Sequence, residues 1–574
     1  MKKMRLIMIA IFLLFMSASL AIAKNQSGEI IHDAEYYIIK AQNGEKWKVE
    51  DKDLDKKLEE LRKKNGGNPP NIIHFMWDDT SWGDVGIPEI NKMRGFNTPN
   101  FNRMAEEGIH FTRMYTEPSC TPSRAAQLTG RHAIRTGMYK VGFPVEYAGL
   151  PKDEVTIAEV LSKVGYATAL YGKLHLGDIE EAWPHNQGFD ETLFGVYNQI
   201  VSIWNPQAEA MNAVMELHPE ILPENPYRLD NRFTPKGWVM TLEGKKGKPA
   251  YEVGGTSNKD FDYLDIESKK RLFAFIERNV KDKKPFFASW WPMMVNFVPK
   301  PEKRSLARAL YTDGIEVLDD DLGELREKLN ELGIAENTLI IAMADNGPMS
   351  HNPPPGLGMT ETIFRGGKGD FLEGGVRVPA FAVWPDVIEK GQLVDDIIHQ
   401  TDLYTTFARI AGATKFIPRD RIIDGIDQTA VLLNGDTHGR RDYVHIYTGP
   451  ILAATVKGDY KRHWVSSDPG ASSGLAAAFY NVRHDTREKN PMMTTVFHMQ
   501  EAFARMYERH MFWKEAYPDT PTVHGPAYTG IANARPETKA ISIPNSDLDL
   551  PFDPSKVLKR DLPWQLGLDP RIAD

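Results

Sequence analysis

Cysteine is almost absent from this chain, which has a single one, Cys120, in 574 residues. One thiol cannot form an internal disulfide bond, so a disulfide framework is excluded. A lone cysteine is usually buried and inert, and its sequence neighbours indicate whether it is reactive instead. The chain also lacks blocks of basic residues, and its formal net charge is -9. Both features argue against nucleic acid as the main partner.

Long apolar runs are missing too, except near the N-terminus. The chain begins with three basic residues, Lys2, Lys3 and Arg5. An apolar run over Leu6–Met16 follows, and Ala21–Ala23 has the small residues of a cleavage site. The alternative is a membrane anchor, but the run is short for a span. We therefore expect a cleaved signal peptide and a mature protein without a membrane span, exported to the periplasm or secreted.

Short apolar runs alternate with helical patterns from residue 71 onward. Asn71–Trp77 is a buried-strand candidate, Pro99–Glu107 is typical of a helix, and Ile109–Tyr115 is typical of the next strand. Phe286–Trp291 and Thr338–Ala344 are further buried-strand candidates. This alternation predicts an α/β fold with a large, mostly parallel sheet sandwiched by helices. Ligands of such folds bind at the carboxyl ends of the strands.

The segment Cys120–Arg131 contains a Cys-x-Pro-Ser-Arg core followed by Leu-Thr-Gly-Arg. It resembles the signature of the type I sulfatases, arylsulfatase-like enzymes of the alkaline phosphatase-like superfamily. The resemblance implies that Cys120 is oxidised to formylglycine (3-oxoalanine) by a formylglycine-generating enzyme or an anaerobic sulfatase-maturating enzyme. The hydrated aldehyde has two hydroxyls: one attacks sulfur, and loss of the proton from the other expels sulfate. Arg124 would stabilise the hydrated form and its charge.

Two pairs of residues with carboxylate or amide side chains follow predicted strands. Asp78 and Asp79 come after the run that ends at residue 77, and Asp345 and Asn346 come after the run that ends at residue 344. Alone, each pair is typical of a turn. Together they offer four oxygen ligands at one edge of the predicted sheet, which suits a hard cation. The resemblance implies that they bind one divalent ion, Ca2+ in preference to Mg2+, which polarises the sulfate.

Two further motifs supply cations and a base. The run Gly172–Gly177 is similar to the family's Gly-Lys-Trp-His-Leu-Gly, with leucine in place of tryptophan. The implied roles are sulfate binding for Lys173 and deprotonation of the second hydroxyl for His175. Lys368 precedes a Glu-Gly-Gly-x-Arg-Val-Pro run that is also similar to the family, and would bind the sulfate and the bridging oxygen. The alternatives are a solvated loop histidine and solvated lysines.

One family residue is missing. Sulfatases usually have a histidine in the loop after the strand that corresponds to Phe286–Trp291, where this chain offers Asn296 as the best match. Asparagine can bind sulfate but cannot act as a general acid at neutral pH. Lys300 or His351 would then take over, and we count Asn296 and His351 among the predicted substrate contacts.

The same patterns divide the chain into four parts. Asp51–Lys64 is a charged, helical stretch before the first strand, short antiparallel strands are predicted after about Arg440, and the tail from about Asp519 is irregular. The predicted parts are a signal peptide (1–23), an N-terminal extension (24–69), a sulfatase-like catalytic domain (70–440) and a smaller C-terminal domain with a short antiparallel sheet and a tail (441–574).

The sequence therefore predicts a sulfatase that converts the sulfate monoester of a sulfated small molecule or sulfated carbohydrate into an alcohol or phenol and inorganic sulfate. A phosphate or phosphonate monoester hydrolase is one alternative. Such relatives tend to have Asp-His where this chain has Asp345 and Asn346, so Asn346 favours a sulfatase. An inactive, sulfatase-like carbohydrate-binding protein is the other alternative, against which the retained cysteine, acids and lysines argue. The oligomeric state is left open.

Overall fold

The computed structural model describes residues 28–144, 146–197, 241–254, 258–293, 310–349, 363–465, 478–492, 497–540 and 542. The predicted signal peptide lies outside the described residues, and so do Asn296, Lys300 and His351. No helix within these ranges is long and apolar enough to cross a membrane.

The described elements are named in chain order. The helices are α1 (Ala34–Lys64), α2 (Pro88–Arg94), α3 (Pro99–Glu107), α4 (Cys120–Thr129), α5 (Ile157–Ser162), α6 (Asn258–Lys281), α7 (Leu310–Glu331), α8 (Glu373–Val376), α9 (Asp402–Ala411), α10 (Thr429–Asn434), α11 (Phe497–Ala516) and α12 (Pro536–Ala540). The strands are β1 (Asn71–Trp77), β2 (Ile109–Tyr115), β3 (Ala148–Gly149), β4 (Ala167–Lys173), β5 (Glu191–Gly195), β6 (Thr241–Lys245), β7 (Tyr251–Gly254), β8 (Phe286–Trp291), β9 (Thr338–Ala344), β10 (Arg377–Val383), β11 (Gln392–Val394), β12 (Ile398–His399), β13 (Tyr443–Thr448), β14 (Ile451–Lys457), β15 (Tyr460–His463), β16 (Phe479–Asn481) and β17 (Val523–His524).

A large mixed sheet organises the molecule. Its order in the described residues is β11-β2-β10-β9-β1-β8-β4-β5-β6-β7, with β12 also paired to β2. The central strands β9, β1, β8, β4 and β5 are all parallel. Antiparallel pairings lie further out: β10 with β9 on one side, and β6 with β5 and β7 with β6 on the other. The predicted α/β fold with a large, mostly parallel sheet is confirmed.

Strand β1 has the pattern expected at the centre of a parallel sheet. All of its residues from Asn71 to Trp77 are buried, as expected for an apolar strand with helices on both faces. The neighbouring helix α3 starts with Pro99 at its first position, where a missing N–H costs no hydrogen bond. Helix α5 starts with a capping box, in which Thr156 and Glu159 satisfy each other's backbone N–H groups. Local sequence thus sets where these elements begin.

A second, smaller sheet lies near the C-terminus. Strands β13 to β16 are consecutive and antiparallel, which confirms the predicted short antiparallel sheet. We propose that the boundary between the two domains lies near residue 440, because β13 starts at Tyr443.

The N-terminal helix α1 is part of the packed structure. It contacts α10 and α11, and its Leu58 belongs to the main hydrophobic core. Just before it, the Asp33 carboxylate accepts a hydrogen bond of 2.8 Å from Arg135 and lies 2.7 Å from His510 Nδ1. Through Asp33, the segment before α1 contacts both α11 and the segment that follows α4.

Several histidines are buried and neutral. Burial lowers the pKa of His32, His110 and His185 to about 4 and that of His74 to about 3. These groups are ordinarily half-protonated at pH 6.5. The unfolded chain therefore takes up protons below that pH while the folded chain does not.

We predict that the free energy of unfolding falls as the pH drops below 6.5. Each such histidine should lower the free energy of unfolding by about 1.4 kcal/mol per pH unit, until the pH reaches the pKa of that histidine in the folded protein. Urea denaturation at pH 7.5, 6 and 5 measures the slope.

The variant His110→Phe isolates one of these groups, because His110 lies against Phe381 with ring centroids 4.8 Å apart. It should reduce the slope between pH 6.5 and 4 by about 1.4 kcal/mol per pH unit. The exposed His484 provides the matched control, His484→Phe, which should keep the slope. Equal slopes in both variants would contradict the prediction.

Candidate active site

The parallel pairing of β1 with β9 makes the two strands end together. Trp77 pairs with Ala344 in the strand register, and the Asp345 N–H donates to the Trp77 carbonyl at 2.9 Å. The Asp79 N–H in turn donates to Asp345 Oδ1 at 3.1 Å. Asp78, Asp79, Asp345 and Asn346 therefore meet at the carboxyl edge of the sheet, where the sequence predicted them.

All four of these side chains are buried. Asp79 has a φ of 48°, a left-handed backbone conformation that is uncommon for residues other than glycine and often marks functional sites. Burial, together with the neighbouring Asp78, raises the pKa of Asp345 to about 6. Asn346 Nδ2 donates to Asp79 Oδ1 at 2.8 Å, whereas Asn346 Oδ1 is buried and has no hydrogen-bond partner among the described residues.

Cys120 is the first residue of α4 and is fully buried beside these acids. Its Sγ lies 3.7 Å from Asp79 Oδ1 and 2.8 Å from Lys368 Nζ. Burial raises the pKa of the Cys120 thiol to about 12, despite the nearby lysines. The unmodified side chain is therefore a protonated thiol at neutral pH and a poor nucleophile.

Three cations surround the acids. Arg124, one turn along α4 from Cys120, donates to Asp78, to Asp345 Oδ2 at 2.9 Å and to the Lys173 carbonyl at 2.7 Å. The Lys173 ammonium lies 2.6 Å from Asp78 Oδ2. Burial alone would raise the pKa of Asp78, but Lys173 and Arg124 hold it below the usual range.

The third cation is Lys368, whose Nζ lies 2.8 and 2.9 Å from the two carboxylate oxygens of Asp79. Burial favours the neutral amine, but Asp79 and the other acids hold the pKa of Lys368 well above its usual range. The site thus pairs three buried carboxylates with two buried cations, Arg124 and Lys173, and one partly buried cation, Lys368.

His175 adopts a left-handed backbone, with a φ of 56°. Burial, with Lys173 as the next cause, keeps its pKa well below the usual value, so the imidazole is neutral. Its Nε2 lies 2.9 Å from the Gly142 carbonyl, which can only accept, so Nε2 carries the proton. Nδ1 is buried without a hydrogen-bond partner in the described part of the chain and presents a lone pair that can accept a proton.

Close backbone packing positions the Lys368 loop. The Gly347 N–H donates to the Gly375 carbonyl at 2.9 Å, and a Cβ on Gly347 would lie 1.8 Å from the Gly374 carbonyl oxygen. Glu373 and Arg377, the acidic and basic residues of the run that follows Lys368, lie 3.5 Å apart as an ion pair. The loop that carries Lys368 is thereby held against the loop that carries Asp345 and Asn346.

The donor set fits a divalent cation. Oxygen ligands dominate it, and ligand atoms of Asp79, Cys120 and Asp345 lie within 4.8 Å of one another. Asn346 Oδ1 lacks a hydrogen-bond donor among the described residues, and the raised pKa of Asp345 shows that Arg124 does not fully offset burial and the neighbouring Asp78. A cation bound here would compensate for both. Hard, oxygen-rich sites of this kind suit Ca2+ or Mg2+.

Sequence reasoning missed one contact of the site. The Trp291 ring covers the Arg124 guanidinium, 5.2 Å from its centroid, and the Trp291 indole N–H donates to His74 Nδ1 at 3.1 Å. The sequence showed only that a strand ends at Trp291, and no local pattern reports a contact between segments so far apart. The predicted contacts Asn296 and His351 lie outside the described residues.

Comparisons with known proteins agree with this geometry. Residues 70–413 match the family model described as Sulfatase. Human N-acetylgalactosamine-6-sulfatase is 33% identical over 424 residues, covering 71% of this chain and 74% of the relative. Human arylsulfatase A is 32% identical over 435 residues, covering 71% and 80%. The crystal structure of the PsFucS1 sulfatase from Pseudoalteromonas sp. has a TM-score of 0.73 and 31% identity, covering 83% of this chain and 96% of that one.

We predict that Arg124→Met destabilises the metal-free protein by about 3 to 5 kcal/mol, because it leaves Asp78 and Asp345 buried with too little positive charge. Urea denaturation in the presence of a chelator measures the change. Arg103→Met is the matched control, since Arg103 forms a surface ion pair with Glu107 and should cost less than about 1 kcal/mol. Similar losses in both variants would rule out the charge pairing as the cause.

Proposed function

We propose that this chain, which belongs to the sulfatase family and hydrolyses sulfate esters, does so with a formylglycine made from Cys120 and one calcium ion. Sulfatases in general use a formylglycine and a divalent metal. The observation that carries the proposal for this chain is the position of Cys120, which is buried between the strand-end acids and Lys368.

Two features of Cys120 support its conversion. A thiol with a pKa of about 12 is protonated at neutral pH, so it makes a weak nucleophile. Its distance of 2.8 Å from Lys368 Nζ lies in the range of N–H···O hydrogen bonds, so an oxygen suits this position. Formylglycine, once formed, supplies a hydrated aldehyde with one hydroxyl to attack sulfur and a second to release sulfate.

Asp78, Asp79, Asp345 and Asn346 would hold the metal through oxygen atoms, and this hard donor set favours Ca2+ over softer transition metals. The bound ion would polarise the sulfate and make the attacking hydroxyl easier to ionise. With a divalent ion beside the acids, the neighbouring lysines need no longer neutralise them alone.

The remaining residues would neutralise the sulfate, position the acids or transfer a proton. Lys173 is buried and Lys368 is partly buried, and their ammonium groups can neutralise sulfate oxygens. Arg124 holds Asp78 and Asp345 in place by hydrogen bonds. Neutral His175 would take the proton of the second hydroxyl at Nδ1, while Nε2–H stays bonded to the Gly142 carbonyl.

The substrate, in our proposal, is a sulfated carbohydrate or another sulfated small molecule. The name of the human N-acetylgalactosamine-6-sulfatase specifies a sulfated sugar for that relative, and this supports a carbohydrate here. Export to the periplasm or secretion is proposed from the N-terminal sequence pattern. Maturation of Cys120 would require a formylglycine-generating or anaerobic sulfatase-maturating enzyme as a transient partner.

The first test concerns the nucleophile. In protein from a maturation-competent host, mass spectrometry should find formylglycine or its hydrate at position 120. Cys120→Ala should lower kcat on 4-nitrophenyl sulfate at least about a thousandfold, which is about 4 kcal/mol of transition-state stabilisation. Protein from a host without maturation enzymes is the control and should be inactive with an intact thiol. An active preparation with only the thiol would overturn the proposal.

The second test concerns the metal. A chelator should abolish activity, and Ca2+ should restore it better than Mn2+ or Zn2+. Asn346→His replaces an oxygen ligand with a softer nitrogen and should reverse this order. Calorimetric titration with each ion, together with turnover of 4-nitrophenyl sulfate, measures the preference. Asn330→His, at an exposed position, is the control, and the same ion preference in both variants would exclude Asn346 as a ligand.

A further inference from the structure

The loop that carries Lys368 is held at both of its ends by one residue that follows the small antiparallel sheet, Glu488. This loop runs from residue 365 to residue 372, directly before α8. At its start, Arg365 Nη1 donates to the Glu488 backbone carbonyl at 2.9 Å. At its end, the Glu373 N–H donates to Glu488 Oε2 at 2.8 Å. Lys368 lies between these two points of attachment.

Hydrogen bonds within the loop connect its ends to its middle. The Gly374 N–H donates to the Arg365 carbonyl at 2.7 Å, which joins the two ends of the loop. The Asp370 N–H donates to the Gly367 carbonyl at 3.0 Å, so the residues on either side of Lys368 are bonded to each other. A shift at either end of the loop would therefore change the position of Lys368.

Glu488 is itself fixed by two residues of β15. Its Oε1 lies 3.0 Å from Lys461 Nζ and 2.8 Å from His463 Nε2. The Lys461 ammonium also lies 3.0 Å from Glu373 Oε1, and all four side chains are buried. Burial alone would raise the pKa of Glu488, but Lys461 and His463 lower it to about 2. Glu488 is thus an ionised carboxylate, which accepts strong hydrogen bonds.

Stability alone does not account for this buried cluster of charges. Replacing a buried ion pair by apolar side chains of similar volume is often neutral or stabilising, whereas hydrogen bonds between charged groups fix direction and distance. Lys368 depends on such precision, because its Nζ lies 2.8 Å from Cys120 Sγ and also contacts both carboxylate oxygens of Asp79. A misplacement of about 1 Å at such a site can lower the rate on the order of a hundredfold.

We propose that Glu488 is a positioning residue for Lys368, and that Lys461 and His463 fix Glu488 in turn. The small antiparallel sheet thereby determines where the Lys368 ammonium lies beside Cys120. Glu488, Lys461 and His463 all follow residue 413, where the family match ends. The inference rests on the proposed function for what Lys368 does in turnover, but not for where Lys368 is held.

The test compares two double variants that remove the same two charges. Lys461→Met/Glu488→Gln keeps an oxygen acceptor for the Glu373 N–H, and Lys461→Met/Glu488→Met does not. Both side chains at position 488 are unbranched and of similar length. Because an acid and a base are removed together, and Glu373 keeps Arg377 and Tyr115 as partners, neither variant leaves a buried charge unpaired. Urea denaturation checks that both variants are folded.

The variant with glutamine should keep kcat/KM for 4-nitrophenyl sulfate within about threefold of the wild type, per formylglycine counted by mass spectrometry. The variant with methionine should lower it at least about tenfold, because Lys368 is no longer held in place. A cluster that only stabilises the fold would change the free energy of unfolding and leave the two activities equal. Equal values of kcat/KM therefore overturn the proposal.

A second variant releases the other end of the loop at a half-buried position, where folding tolerates the change. Arg365→Met removes the bond to the Glu488 carbonyl and should lower kcat/KM at least about threefold. Arg483→Met is the matched control, since Arg483 pairs on the surface with Asp395 and Asp459, and it should keep the wild-type value. The same kcat/KM in both single variants would contradict the role of Glu488.

Crystal structures of the two double variants separate this proposal from the proposed function, because they need no turnover. Lys368 Nζ should remain within hydrogen-bond distance of Asp79 in the variant with glutamine and move by at least about 1 Å in the variant with methionine. An unmoved Lys368 overturns the positioning role even if 4-nitrophenyl sulfate is hydrolysed. Conversely, a displaced Lys368 in a protein that hydrolyses no sulfate supports the positioning role and removes the proposed chemistry.

Discussion

The register between β1 and β9 is the constraint on which the rest of the site depends. Trp77 and Ala344 are partners in the register of the two strands. The acids that follow each strand are therefore buried next to one another. Like charges this close are unstable in an apolar environment unless cations or a metal compensate. The fold brings a guanidinium from α4 and ammonium groups from β4 and from the loop before α8 to the same point. Segments distant in sequence are thereby held together by charge.

The central strands and the position of the acids at their ends could be predicted because they depend on local sequence. β1, β2, β8 and β9 begin and end where the apolar runs do, and the acids follow β1 and β9 directly. The helix predicted over Asp51–Lys64 is longer in the structure, Ala34–Lys64. The additional turns carry only isolated apolar contacts, such as Ile39 and Trp47, so no continuous apolar stripe marks them.

Contacts between distant segments could not be predicted. The Trp291 ring over Arg124 joins the end of a strand to a helix more than 150 residues earlier. Asp33, just before α1, is bonded both to Arg135 and to His510 in α11. The tail from about Asp519 is irregular in sequence, yet the backbone of residues 520–525 is hydrogen-bonded to the loop and strand that follow α4. Such contacts follow from the three-dimensional arrangement and leave no periodic pattern in the chain.

The pairing of each strand-end acid with an internal cation has a consequence for biosynthesis. Many small metalloproteins remain unfolded until their ion binds, because their ligands repel one another without it. Here Asp78 and Asp79 already have ammonium partners in Lys173 and Lys368, and Arg124 binds Asp345. The folded chain therefore supplies counter-charges to these acids itself, so a metal ion at this site would not be needed to bring them together and would be able to bind after folding.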